Sequence, residues 1–275
     1  MSLLLIVDIG NFGTRVAYEH EGEMVVDTFS SITHLYKKLE DQKEMLDIKF
    51  GGGHYLTGEG VENFYDGKEN RMYLGRTRKG HAEGAVRLLH ALYRTYKKTN
   101  ENTFNILLLS PFSSMEKDKD FFKQHFTDNN SYSINGKPFN FSVNHIGTVA
   151  EGLGAYSFAK KKNCVLLDAG SGTENIITIT NGSVQLDDTH TLNGGTIGNS
   201  PFELANEFQR LMKNVDDTTE IVVTGGKARE LSESLDMLGY ENVTLPEIEE
   251  DKFYLTNLIG SYKMFYEKLK NEWND

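Results

Sequence analysis

The sequence predicts an α/β fold built from two related halves, and three observations carry that expectation. An apolar run ending in Asp-x-Gly occurs twice. It is Leu3-Leu4-Leu5-Ile6-Val7-Asp8-Ile9-Gly10-Asn11 in one place and Cys164-Val165-Leu166-Leu167-Asp168-Ala169-Gly170-Ser171 in the other. Each copy continues into a Gly-Thr pair, Gly13-Thr14 and Gly172-Thr173, the second loop being one residue shorter. Thirteen residues past each aspartate comes a turn signal, Glu21-Gly22 and Asn181-Gly182. Asn-Gly between alternating runs (Ile177, Ile179, then Val184, Leu186) marks a hairpin. Each half therefore opens as strand, loop, strand, hairpin, strand, and a duplication of this kind suits a chain that clamps one ligand.

The remaining elements follow in order. Val25 to Phe29 reads as a third strand. Residues 30–76 are Gly-rich and read as an irregular inserted subdomain with a turn at Asp66-Gly67. His81 to Lys98 is expected to be helical, because Ala85, Leu88, Leu89, Leu92 and Tyr96 recur at helical spacing. Asn105 to Leu109 is a buried strand, Lys117 to Phe126 a helix, and Tyr132 to Val143 a hairpin turning at Asn135-Gly136. Thr148 to Lys161 is expected to be a helix crossing into the second half. There, Pro201 to Met212 is a helix, Glu220 to Thr224 a strand, Ala228 to Leu238 a helix, Asn242 to Leu245 a short strand and Tyr254 to Trp273 the closing helix. Alternating strands and helices argue for layered α/β halves.

Composition narrows the function classes. The chain has 275 residues, 38% hydrophobic and 25% charged, as expected of a soluble globular protein with a sizeable core. With only four prolines and no Pro/Ser-rich linker, the halves are expected to pack together. A net charge of −11 disfavours a direct grip on DNA, which needs a basic face. The basic cluster Arg71, Arg76, Arg78 and Lys79 reads as a solvated loop, the alternative being a contact with an acidic partner or a neighbouring copy. Cys164, the one cysteine, reads as a buried small hydrophobe and fits a reducing cytoplasm. The aliphatic run Leu3 to Val7 is far too short to span a membrane and lacks the flanks of a signal peptide, so a cytoplasmic location with no membrane partner is expected.

The chemistry sits in the glycine loops. Backbone N–H groups of a tight Gly turn can approach a phosphate with no side chain in the way. The two halves are therefore expected to grip a nucleoside triphosphate, ATP or GTP. Gly10, Asn11, Gly13, Thr14 and Arg15 would hold phosphate from one half, and Gly170, Ser171, Gly172 and Thr173 from the other. Asp8 and Asp168 would each hold water on a Mg²⁺, an ion that keeps much of its hydration shell. Thr14 and Thr173 can donate hydroxyl bonds, and Arg15 a charge-assisted one. Val222-Val223-Thr224-Gly225-Gly226-Lys227-Ala228 runs a strand through paired glycines into a helix, so Gly225, Gly226 and Lys227 are expected to support the nucleoside. Gly194 and Gly195, in Asn193-Gly194-Gly195-Thr196-Ile197-Gly198, are candidates to line the phosphates. Glu151, at the start of the expected crossing helix, is a candidate to orient the attacking water; the bland alternative is an acidic residue favoured in a helix's first turn. There is no G-x-x-x-x-G-K-[ST] loop, no G-x-G-x-x-G after the first strand, no metal-ligand spacing among histidines and cysteine, and no nucleophile elbow.

This pattern resembles the actin-like superfamily, which also contains sugar kinases and chaperone ATPases. Its five elements fall at Asp8 to Arg15 (phosphate 1), Thr148 to Ala159 (connect 1), Asp168 to Thr173 (phosphate 2), Val223 to Ala228 (adenosine) and near Asn257-Leu258-Ile259-Gly260 (connect 2). Arg15 stands where actin has a lysine, and Glu151 aligns with the glutamate of ParM-type plasmid-segregation actins that positions water. Val243-Thr244-Leu245-Pro246-Glu247 and Leu258-Ile259-Gly260-Ser261 look like the end of such proteins. Gly225 lies only 57 positions after Asp168, leaving no room for subdomain IIB, a feature similar to AlfA-type segregation actins. The resemblance implies an actin-like (ribonuclease H-like) duplicated fold with two lobes around a nucleotide cleft. Lobe I would be 1–150 with 259–275, carrying inserted subdomain IB at about 30–76, and lobe II would be 151–258 without IIB. It further implies an ATPase or GTPase that polymerises head to tail into a helical filament, segregates plasmid DNA and reaches that DNA through an adaptor protein of the partition locus. The runner-up is a small-molecule kinase of the same superfold, similar to type III pantothenate kinase, whose opening Asp-x-Gly-Asn resembles Asp8-Ile9-Gly10-Asn11; no matching Gly-x-Asp-Arg segment occurs. A nucleotide-gated binding module without turnover is a third reading.

Overall fold

A computed structural model describes residues 2–36, 45–62, 78–212, 215 and 218–273. Two compact units are formed, Met1–Ser110 with Ser114–Thr148 and Tyr266–Asp275, and Pro111–Ser113 with Val149–Phe265.

The first unit is organised by one nine-stranded sheet. Its strands are β1 (Leu3–Ile9), β2 (Gly13–His20), β3 (Glu23–Ser30), β4 (Thr33–Leu35), β5 (Leu46–Phe50), β6 (Gly53–Thr57), β7 (Thr103–Ser110), β8 (Asp128–Ile134) and β9 (Lys137–Ala150), in the order β3-β2-β1-β7-β9-β8-β5-β6-β4. β1 pairs antiparallel with β2 and parallel with β7, so the apolar run Leu4–Val7 is covered on both edges and fully buried. After a single helical turn, α1 (Glu59–Glu62), the long helix α2 (Ala82–Thr99) lays its apolar stripe of Ala85, Val86, Leu88, Leu89 and Leu92 into the core with Leu5, Val7 and Phe104. His81 is its N-cap rather than its first turn, accepting from the Gly84 N–H through Nδ1. Helix α3 (Met115–Phe126) adds Phe122 and Phe126 to the same core.

Within 30–76, expected to be irregular, the described residues form β4, β5 and β6, and β5 joins the main sheet through Ile48 opposite Ile134 of β8. The Asp66-Gly67 turn, Arg71 and Arg76 lie outside the described residues.

The second unit repeats the opening pattern. β10 (Cys164–Ala169), β11 (Thr173–Thr180), β12 (Ser183–Val184), β14 (Glu220–Gly225) and β15 (Val243–Thr244) run β12-β11-β10-β14-β15, with β13 (His190–Asn193) paired to β11. β10 lies antiparallel to β11 and parallel to β14, as β1 lies to β2 and β7. After a short turn, α4 (Gly195–Gly198), comes α5 (Pro201–Leu211), opened by a Ser200–Glu203 capping box. α5 and α6 (Ala228–Met237) bury Leu204, Phe208, Leu231 and Leu235 against Val165, Leu167 and Val223. The interval from Asp168 to Gly225 thus holds β11, β12, β13, α4 and α5. Cys164 is buried, and that burial, together with Glu220, pushes its thiol up to about 12.

The expected helix over 148–161 does not form. β9 continues to Ala150, a turn follows at Glu151-Gly152, and Leu153–Phe158 is a 3₁₀ helix. Gly152 has φ +91°, which a helix cannot contain, and Thr148 and Val149 suit the strand. Close packing explains the other glycine: a Cβ on Gly154 would lie 2.2 Å from the Asn257 carbonyl oxygen, and one on Gly260 only 1.9 Å from that of Gly154. The 3₁₀ helix and α7 (Thr256–Glu272) therefore cross backbone to backbone. Among the described residues no helix is long and apolar enough to cross a membrane.

Candidate functional site

In the first unit the loop between β1 and β2 is closed by the Gly10 N–H donating to the Gly13 carbonyl at 3.1 Å. A Cβ on Gly10 would sit 2.7 Å from that same oxygen, so the turn demands glycine. Antiparallel register sets Asp8 opposite Arg15. The pairing becomes an ion pair, Arg15 Nη1 donating to Asp8 Oδ2 at 2.6 Å. Lys79 Nζ donates to the other oxygen, Oδ1, at 2.7 Å. Burial alone would raise the Asp8 carboxyl, but Lys79 and Arg15 outweigh it and hold it below the usual carboxylate range. Thr14 turns to the opposite face of β2; its hydroxyl is buried and bonded to Ser31 Oγ at 2.7 Å, so it serves the scaffold. Asn11 and Phe12 form the loop tip, with Phe12 60% exposed.

The second unit carries the matching loop. The Gly170 N–H donates to the Asp168 carbonyl, and a Cβ on Gly170 would lie 2.9 Å from the Thr173 carbonyl oxygen. The Gly194 loop braces it: the N–H groups of Gly194, Thr196 and Ile197 donate to the carbonyls of Gly172, Gly170 and Ser171 at 2.9, 2.9 and 3.1 Å. Gly195, at φ +42°, lies so close that its Cβ would meet the Gly170 oxygen at 2.4 Å. Gly194 and Gly195, expected to line phosphates, thus shape the loop that carries Gly170, Ser171 and Gly172.

Around Asp168 three further groups converge. Gly152 packs on it, a Cβ there falling 3.2 Å from Asp168 Cβ. Asn175 is its cross-strand partner. The Asn175 amide donates to Glu151 Oε2 at 3.4 Å and accepts from the Thr191 hydroxyl at 3.0 Å. Glu151 therefore projects from a turn rather than from a helix's first turn, which removes the bland reading of it as a helix-favoured acid. Asn175 lies in the quoted repeat, but no local signal marked it; only the strand register brings it to Glu151.

Gly225 ends β14 at φ +99°, with a would-be Cβ 2.3 Å from the Ala169 carbonyl oxygen, whereas the space beside Gly226 is open. Lys227, expected at the nucleoside, extends along the surface to Glu230 Oε1 at 2.6 Å.

One group went unremarked in the sequence. Glu174, between Thr173 and Asn175, is fully buried, and neither carboxyl oxygen has a hydrogen-bond partner. Burial, then Asp168 and Glu207, push its carboxyl up to about 8. Among the described residues, no group of three or more His, Cys, Asp or Glu side chains is arranged to hold a metal.

Comparison with known proteins gives the geometry a context. Residues 7–154 match the family model for the actin-like proteins' N-terminal domain. The chain belongs to the actin-like protein family. AlfA from a B. subtilis plasmid, solved as a filament, is 45% identical over 96% of this chain and 99% of its own, with a TM-score of 0.90. An AlfA filament bound to AMPPNP is 44% identical over 99% of this chain and 100% of its own, with a TM-score of 0.92. An apo ParM crystal structure shares the fold at 14% identity and a TM-score of 0.66, covering 100% of this chain and 99% of its own. No curated protein matches by sequence. The actin-like fold expected from the duplicated Asp-x-Gly loops is thereby established, with β1-β2 and β10-β11 as its two corresponding hairpins.

Proposed function

We propose that this actin-like chain binds a Mg²⁺-complexed nucleoside triphosphate, assembles head to tail into a helical filament, and hydrolyses the nucleotide to loosen that filament during plasmid segregation. One observation carries the reading. The two Gly-closed loops at Asp8 and Asp168 lie in a chain 44% identical over 99% of its length to an AlfA filament bound to AMPPNP. A subunit contact whose rotation does not close yields an open filament. The net charge of −11 suits an adaptor protein, rather than the chain itself, as the group touching DNA.

The residues fit the ligand. Backbone at Gly10–Gly13 and Gly170–Gly172 would take phosphate oxygens, and the open space at Gly226 would admit the nucleoside against bare backbone. Asp168, near the end of β10 beside the Gly170–Gly172 turn, would hold water on Mg²⁺. When bound, that ion supplies charge neutralisation for the phosphates. Glu151, steadied by the Asn175 amide, accepts a hydrogen bond from the attacking water and turns its lone pair toward the terminal phosphate.

Right-angle light scattering followed together with phosphate release, on adding Mg·ATP or Mg·GTP to purified protein, tests the reading. Scattering that grows above a critical protein concentration, with phosphate release trailing it, is expected. Release that demands a small-molecule acceptor would identify a kinase instead, and nucleotide binding without either signal a module that does not turn over.

A further inference from the structure

Lys79 stands out because its position is built rather than incidental. Its ammonium is 2.7 Å from Asp8 Oδ1, and its side chain is only 10% exposed. Asp8, Gly10, Arg15 and Lys79 share one corner: Arg15 Nη1 reaches Asp8 and lies 3.2 Å from where a Gly10 Cβ would be. The segment delivering Lys79 is tied to Asp118, a buried carboxylate at the start of α3. Asp118 accepts from the backbone N–H of Lys79 at 3.2 Å and of Gly80 at 2.9 Å, and from the hydroxyls of Ser110 and Ser114 at 2.6 and 2.8 Å. The chain then enters α2 so tightly that a Cβ on Gly84 would fall 2.0 Å from the Lys79 carbonyl oxygen. Four donors on one buried carboxylate, and a helix entry that only glycine permits, fix a single lysine beside a glycine phosphate loop.

An ammonium is a compact point charge with three donors, suited to exchange a carboxylate oxygen for a phosphate oxygen. We propose that Lys79 is a phosphate-binding residue of the nucleotide site, parked on Asp8 until a polyphosphate arrives. Asp8 then acts chiefly as the counter-ion that keeps Lys79 and Arg15 pointed at the loop, rather than as a holder of Mg²⁺. The inference deepens the nucleotide-binding reading and rests on it.

Equilibrium binding of ATP, with and without Mg²⁺, and of AMP to unpolymerised protein tests the role without reference to turnover. Lys79→Met is expected to weaken ATP at least tenfold, to leave AMP within about twofold, and to flatten the salt dependence of ATP binding. Lys79→Arg, which keeps the charge, should recover most of the loss. Asp118→Asn, which loosens the segment while keeping the lysine, should weaken ATP in the same direction. If Lys79→Met fails to fold, Lys79→Gln, whose amide can still donate to Asp8, is scored by the same ratio. Unchanged ATP affinity, or an equal loss for ATP and AMP, would overturn the proposal and leave Lys79 a structural counter-ion. Wild-type protein that binds no nucleotide would bring down the functional reading as well, and is told apart by needing no variant.

Discussion

Glu174→Gln isolates one electrostatic cost. The wild-type carboxyl is fully buried without a hydrogen-bond partner, and its folded pKa is raised from 4.5 to about 8. The folded chain therefore keeps a proton that the unfolded chain releases above 4.5, so the contribution of this one group to stability is greatest below that pH and falls as pH rises toward 8. At about 1.36 kcal/mol per unit, the loss reaches roughly 3 kcal/mol by neutral pH and levels off above the folded value. Glutamine has the same shape and does not titrate. Its buried amide costs about 1–3 kcal/mol of its own, so the pH slope, not the absolute stability, is the readout. Urea unfolding of nucleotide-free protein across roughly pH 5 to 9 should show the wild type losing stability relative to the variant as pH rises. Parallel curves would refute the reasoning, since they would mean Glu174 has the same proton affinity folded and unfolded.

Three further outcomes follow from the site. Gly225→Ala forces a Cβ to within 2.3 Å of the Ala169 carbonyl at φ +99° and should lower the urea-derived stability by roughly 1–3 kcal/mol; an unchanged midpoint would show that the turn relaxes freely. Glu151→Ala should leave light-scattering assembly intact while slowing phosphate release by about 10²-fold, and unchanged release would remove Glu151 from the chemistry. Asp168→Ala should abolish the part of phosphate release that depends on Mg²⁺, measured as a titration of the metal, and retained dependence would place the ion elsewhere.

What the sequence revealed was local. The Asp-x-Gly-(Gly-Thr) loops and their hairpins are written in turn residues whose backbone demands are met within a few positions, so the strand-turn-strand units around Gly10 and Gly170 and the hairpin at Asn181-Gly182 form where the sequence places them. The segment over 148–161, expected to be helical, differs because Gly152 and Gly154 answer to a positive φ and to the α7 backbone about a hundred residues away. Distance in sequence also hid the polar partners. Lys79 looked like part of a solvated basic loop because Asp8 is 71 positions away, and the Asp118 carboxylate that holds its segment lies 39 positions off. Thr14 and Thr173 occupy equivalent places in the two repeats, yet burial of Thr14 against Ser31 depends on β3 leading back beneath it. Glu174 gave no sign in a string of polar residues; β11 is an inner strand between β10 and β13, and whether a face of such a strand is covered is decided by the tertiary fold, not by the local sequence.

Titration calorimetry with Mg·AMPPNP puts the central claim, that both Asp-x-Gly loops serve the same nucleotide, to its most direct test. The account predicts one binding event per chain, lost to a similar degree when Gly10→Val or Gly170→Val fills either loop. Two independent events, or undiminished binding with either loop filled, would contradict it.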